Sequence, residues 1–368
     1  MQTMHPTVLV GPADWDEARL PREEFSARIA AFWSACDPGI AGAIVFGSPR
    51  DHAELAYLTH FTPKLEDAIA LVPRAGAPRL LVGGGANMLG AAKPLTWIET
   101  LVPLRGAGAA IARWRDEVGP LALVNGDAMP FGLRQEIDKA LGAPPFDATA
   151  LVTAAMRRKS PREVALIRAA CAGLDAAFSA MREAQRAGQG MTDTVLAGEQ
   201  AAWRRGAQDV RSLFGREGRL APFTVRDDAP ADPLQVYLAV RHDGYWAEGF
   251  AVLSGGAPPV VASARALLDE ALQLAKPGAP CRGVAEVLGR AAAGRPHPLT
   301  AKDFGGAIGL ALEEPGGLTA ASAARFAADE VFSIRAGLRD GGDSAVVSAI
   351  VAITETGHEI LWPGGATA

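Results

Sequence analysis

The chain has 368 residues, enough for two domains of ordinary size, and its 49% hydrophobic and 21% charged content is a globular balance, not a disordered one. A formal net charge of −5 with no basic block excludes nucleic-acid binding through a cationic face. Cys36, Cys171 and Cys281 form no CxxC pair and no disulfide framework, which points to a reducing compartment.

The opening MQTMHPTVLVGPADWDE has no basic region leading into an apolar core and does not read as a signal peptide. No uninterrupted apolar run approaches bilayer length, so a cytoplasmic protein without a membrane partner is expected. EEFSARIAAFW (23–33) has helical spacing, with Phe25, Ile29 and Phe32 on one side. AGAIVFG (41–47), AIALVP (68–73) and RLLVGG (79–84) are short apolar runs bounded by Gly or Pro, hence strands. A helix through IARWRDEV, the run LALVN and a helix from Gly132 to Leu141 continue the alternation. That alternation predicts an α/β domain over 1–150.

A second domain over 151–368 opens differently. Ser160, Pro161 and Glu163 form an N-cap, a first-turn proline and a capping-box acid ahead of a long apolar-periodic run. Thr192 is the expected cap of the next helix, and two more helices run through SARALLDEALQLAKPG and VAEVLGRAAAG. Between and after them come DPLQVYLAVRHDGYWAEGF, FGGAIGLALEEPGG and VFSIRAGL, each a strand or a Gly-rich turn. Helices grouped on an antiparallel sheet fit this order best. The runs VGGGAN and DFGGAIG lack the spacing and strand–loop–helix context of a nucleotide-binding loop.

Several segments resemble, in order, those of the creatinase/aminopeptidase P/prolidase family, whose catalytic domain has the pita-bread fold. They are AYLTHF with AIALVP, MRRKSPREVALIRAA, AKPGAP, DGYWAE, GGAIGLALEEP and VAITETGHEIL. The resemblance implies a creatinase-like N-terminal α/β domain, a pita-bread α+β C-terminal domain and a homodimer. Metal-dependent relatives hold two divalent ions with two Asp, one His and two Glu. Those positions fall here on Tyr237, Glu248, Gly306, Arg335 and Ser348 or a neighbour, so one of the five keeps a carboxylate. A further family His falls on Glu313. Two hard cations need several anionic oxygens to offset their repulsion, and Arg335 adds a permanent cation. No metal and no other cofactor is therefore expected. The metal-free branch uses a proton-shuttle His that the resemblance places between about 215 and 231, where GREGRLAPFTVRDDAPA has none.

The reading that follows is a metal-independent protein acting on a C–N bond of a small carboxylate-bearing molecule. Glu248 is its candidate base, with Glu313 and Tyr237 assisting and Arg335, Lys64 and Arg226 binding substrate. Glu313 is expected to point inward and Glu314 to end a strand at the surface. Each residue also has a plainer reading: Glu248 paired with Arg335 across the sheet, Tyr237 a core aromatic, Lys64 and Arg226 polar loop residues. A non-catalytic binding or partner subunit is the alternative, and an ordinary metallopeptidase ranks below both.

Overall fold

The computed structural model describes residues 14–216, 219–223, 226–256, 258–292, 297–300 and 303–365. Most of the N-terminal stretch read for a signal sequence lies outside the described residues, as do four positions of the segment expected to carry a proton-shuttle His. The chain divides into two compact units, Met1–Met156 and Arg157–Ala368.

The first unit is built on α1 (Arg22–Ala35), β1 (Gly42–Gly47), α2 (Ala53–Thr59), β2 (Ala68–Pro73), β3 (Arg79–Val82) and α3 (Leu89–Ala92). It continues with β4 (Thr100–Pro103), α4 (Ala107–Val118), β5 (Leu121–Val124), α5 (Phe131–Leu141), β6 (Phe146–Asp147) and α6 (Thr149–Arg157). The strands form one six-stranded sheet in the order β4-β3-β2-β1-β5-β6. β2 runs antiparallel to both its neighbours and the remaining pairs are parallel. β1 and β5 are buried along their whole length, as unbroken apolar runs in a sheet covered on both faces should be. Ile44, Phe46, Leu71, Ile111 and Trp114 form the centre of this unit's core.

The second unit starts with α7 (Pro161–Arg186) and α8 (Met191–Arg204). The capping box at its start is complete: Ser160 Oγ accepts from Glu163 N at 3.2 Å, and Glu163 Oε2 accepts from Ser160 N at 2.9 Å. The second helix differs from expectation. Gly190 is its N-cap and Thr192 lies inside, where its hydroxyl accepts Asp227 N instead of capping its own helix. α7 is long and apolar enough to cross a membrane by length and composition, although charged residues interrupt its apolar runs. Half of that stretch is buried, and Ile167, Leu174, Phe178 and Met181 are enclosed within the protein.

β7 (Asp209–Gly215), β8 (Leu234–His242) and β9 (Tyr245–Leu253) make a three-stranded antiparallel sheet. After α9 (Pro259–Leu272) and α10 (Cys281–Ala291), strands β10 (Gly305–Ala307), β11 (Val331–Asp340), β12 (Asp343–Ile353) and β13 (His358–Trp362) make a four-stranded one. Side chains stitch β12 to the first sheet. Gln235 donates to Val346 O at 3.0 Å and accepts Val346 N at 2.8 Å, and Ser348 Oγ accepts Phe250 N at 2.8 Å. Leu268, Val284, Phe332, Ile334 and Val351 belong to the core between the helices α9 and α10 and the strands β11 and β12. The layering is an α+β domain with paired helices against antiparallel sheet.

Candidate functional site

The antiparallel register of β8 and β9 sets Tyr237 opposite Phe250 and Ala239 opposite Glu248. Alternation puts all four side chains on one face, with Tyr237 and Glu248 as diagonal neighbours. Tyr237 Oη donates to Glu248 Oε2 at 2.8 Å, and the Tyr237 ring packs on Phe250 with centroids 4.7 Å apart. On β11, Ser333 and Arg335 share a face by the same alternation. Arg335 lies directly opposite Ser348 in the β11–β12 ladder. Its guanidinium stands over the Phe250 ring at 5.7 Å.

Of these side chains, Glu248 and Arg335 border a cavity of about 160 Å³. Glu248, Asp303, Glu313, Glu314 and Arg335 supply its charged lining, with Gly305, Gly306 and Thr319 beside them. The size suits a small molecule, since pockets for drug-sized ligands usually run about 300–1,000 Å³.

Burial pushes the Glu248 carboxyl above its ordinary value, and the nearby Glu313 charge adds to that; Arg335, Tyr237 and Ser333 act in the opposite direction. Burial is also the chief reason the Tyr237 phenol is raised, with the Glu248 charge and hydrogen bond adding to it, so the phenol remains a donor. Glu248 therefore keeps a proton to higher pH than a surface glutamate does.

Arg335 does not pair with Glu248 across the sheet. Its Nη2 donates to Asp303 Oδ2. Sequence reasoning missed Asp303, which stands just ahead of the GGAIG run compared with the family and with nucleotide loops. The signal was an acid ahead of two glycines, and the structure uses it as a turn: Asp303 Oδ1 accepts Gly305 N at 2.8 Å.

The two neighbouring glutamates exchange their expected places. Glu313 is exposed on the cavity wall, whereas Glu314 is buried. Glu314 Oε2 meets Lys159 Nζ at 2.5 Å, and Glu314 Oε1 accepts Leu310 N at 3.0 Å. The cause is the bridge between Glu314 and Ala307, which folds the 308–313 segment back on itself instead of continuing a strand. Glu313 still reaches the cavity, but from its rim.

Two expected substrate-binding residues stand elsewhere. Arg226 is exposed and ion-paired with Asp193 at 2.7 Å and Asp228 at 2.5 Å, and it is absent from the cavity lining. Lys64 belongs to the first unit, where it borders a separate cavity with Phe61, Met88 and Leu95. Tyr237, Glu248, Glu313 and Arg335 are the expected residues that come together.

The positions implied for a metal pair do not fit one. Tyr237 is held to Glu248, Gly306 has no side chain, Arg335 is a cation, and Ser348 Oγ is engaged with Phe250 N. Among the described residues no group of three or more His, Cys, Asp or Glu side chains is arranged to hold an ion.

No family sequence model matches the chain, and no curated protein matches it by sequence. Solved structures match it along nearly its whole length. An X-Pro aminopeptidase from Thermotoga maritima MSB8 superposes with a TM-score of 0.76 at 18% identity, covering 92% of this chain and 97% of that one. A prolidase from Pyrococcus horikoshii OT3 gives 0.74 at 15% identity, covering 94% and 99%. Dipeptidase PepE from Mycobacterium ulcerans gives 0.74 at 19%, covering 95% and 97%. The fold is therefore that of the prolidases and X-Pro aminopeptidases: a creatinase-like α/β domain followed by a pita-bread domain.

Proposed function

We propose that this chain is a metal-independent pita-bread protein acting on a C–N bond of a small carboxylate-bearing polar molecule. The observation that carries the reading is the buried Glu248 carboxyl, hydrogen-bonded to Tyr237 at 2.8 Å and facing a cavity that also presents Arg335. A raised carboxyl at a cavity is a usual place to find an acid–base group. Tyr237 donates to Oε2 and fixes the carboxyl plane, and the carboxyl takes or gives a proton at the cavity. Arg335 holds the substrate carboxylate, and Glu313 at the rim favours a substrate whose far end is cationic or donates hydrogen bonds. Lys64 enters this reading through a homodimer, in which a second copy presents it; sedimentation equilibrium tests that part.

Elemental analysis by inductively coupled plasma mass spectrometry, after loading with manganese, cobalt and zinc, tests metal independence. The expected result is no stoichiometric metal. About two ions per chain would overturn the reading and restore a peptidase of the kind named for the structural neighbours. Turnover of amides and amidines bearing a carboxylate, compared with Glu248→Gln, tests the chemistry.

A non-catalytic binding subunit is the second reading. It is favoured by the internal partners that Glu248 and Arg335 already have in Tyr237 and Asp303. Binding without turnover in wild type would select it.

A further inference from the structure

The Arg335 guanidinium is held by half of its fork. Nη2 donates to Asp303 Oδ2, but Nε is buried and has no hydrogen-bond partner among the described residues. Nε and Nη2 lie on one edge of the guanidinium, and together they match the two oxygens of a carboxylate. Asp303 does not make that match: its other oxygen, Oδ1, accepts Gly305 N at 2.8 Å and Nε is left without an acceptor among the described residues. The turn that places Asp303 at the cavity directs its second oxygen to Gly305 and not to Arg335 Nε.

The pair is also uneven in its exposure. The Asp303 side chain is 50% exposed and that of Arg335 14%. A half-solvated carboxylate loses little on release, whereas a buried guanidinium donor without an acceptor is costly. Both residues line the cavity, so a ligand inside it stands beside the pair and meets that edge of Arg335 once Asp303 moves aside.

We propose that Asp303 is an internal stand-in for the ligand carboxylate. Without ligand it holds Arg335 by one hydrogen bond; a ligand carboxylate takes Nε–H and Nη2–H together and releases Asp303 to solvent. The exchange forms and breaks hydrogen bonds and one ion pair only. It rests on the reading that the cavity takes a carboxylate-bearing molecule, and it adds how the site selects one. An ester or amide offers a single acceptor to the fork and cannot repay the loss of Asp303, so free acids are preferred. The affinity for every ligand is lowered by the fraction of chains in which Asp303 is seated.

The experiment is a titration of N-acetylglycine and N-acetylglycinamide into wild type, Asp303→Asn and Arg335→Met, followed by calorimetry or ligand-observed NMR. In Asp303→Asn the side-chain carbonyl still accepts Gly305 N, so the turn survives while the charge that competes for Arg335 is gone. The acid is expected to bind wild type in preference to the amide, to bind Asp303→Asn about tenfold more tightly, and to lose measurable binding in Arg335→Met. Equal or weaker binding to Asp303→Asn, with binding still dependent on Arg335, overturns the stand-in role and leaves the carboxylate site in place. No binding of the acid to wild type or Asp303→Asn overturns both. Circular dichroism of each variant confirms that the fold is retained, and Asp303→Ser, which keeps a turn acceptor, supplies a second test if Asp303→Asn is unstable.

Discussion

Tyr237 and Glu248, eleven residues apart in sequence, meet through a 2.8 Å hydrogen bond across β8 and β9. The contact is diagonal, because the register pairs Tyr237 with Phe250 and Glu248 with Ala239. A chain slipped by one residue would send one partner to the opposite face and leave the other buried alone. The hydrogen bond therefore depends on the register of β8 against β9.

Glu248 makes stability depend on pH in a definite direction. Burial raises its folded pKa above the ordinary 4.5, so between the two values the folded chain binds more protons than the unfolded one. Its contribution is most favourable at low pH and is lost as pH rises from about 4.5 through the raised value. Glu248→Gln removes this loss while an amide carbonyl still accepts from Tyr237. The variant is expected to be more stable than wild type at pH 8, with the advantage shrinking toward pH 4, because wild type must ionise a carboxyl whose pKa burial has raised. Urea unfolding at the two pH values measures it, and equal gains at both would contradict the assignment.

Lys159 and Glu314 form an ion pair at 2.5 Å with side chains 2% and 1% exposed. Removing one partner strands the other charge, so Lys159→Met is expected to cost about 3–5 kcal/mol. The double variant Lys159→Met with Glu314→Leu should recover most of that loss. Denaturant midpoints of the two singles and the double close the cycle. Additive losses would mean that the charges are not coupled.

Gly305 and Gly306 should differ sharply although they are adjacent. Gly305 has φ 111°, and a Cβ there would lie 2.0 Å from Ser333 O, a backbone atom that cannot step aside. Gly305→Ala is expected to cost at least about 3 kcal/mol and to detach β10 from β11. Gly306→Ala meets Gly317 Cα at 3.4 Å, Gly317 N at 3.8 Å and Gly316 O at 3.9 Å, all ordinary contacts, and should cost under about 1 kcal/mol. Thermal midpoints of the two variants decide this.

His297 is fully enclosed, and burial, with a smaller push from Arg339, depresses it from 6.5 to about 4. The unfolded chain binds its proton first, so the stability from neutral His297 is present above pH 6.5 and is lost as pH falls toward 4. His297→Asn preserves an acceptor for Leu299 N, which Nδ1 now takes at 3.1 Å. It is expected to flatten the pH dependence across that window, and an unchanged acid-unfolding curve would exclude His297 as a contributor.

Four of the six strands of the first unit, β1, β2, β3 and β5, were legible because their signals are local. AIALVP is β2 residue for residue, bounded by its own sequence punctuation. The Ser160–Glu163 capping box likewise acts within one helical turn. Thr192 shows the limit of such signals: its hydroxyl caps only if no better donor competes, and Asp227 N, thirty-five residues away, does.

The order of the motifs, the strand periodicity and the shared site of Tyr237, Glu248 and Arg335 were legible in the sequence alone, because alternation assigns faces wherever the backbone is extended. Tertiary structure alone decided which charges meet. Arg335 found Asp303 at a separation of 32 residues, and Lys159 found Glu314 at 155. In the turn before Glu314 the backbone bridges back to Ala307, so alternation no longer assigns faces, and the buried glutamate is the one expected at the surface. Charge pairing over such distances depends on how the sheets and loops come to rest, and no short-range pattern in the chain encodes that.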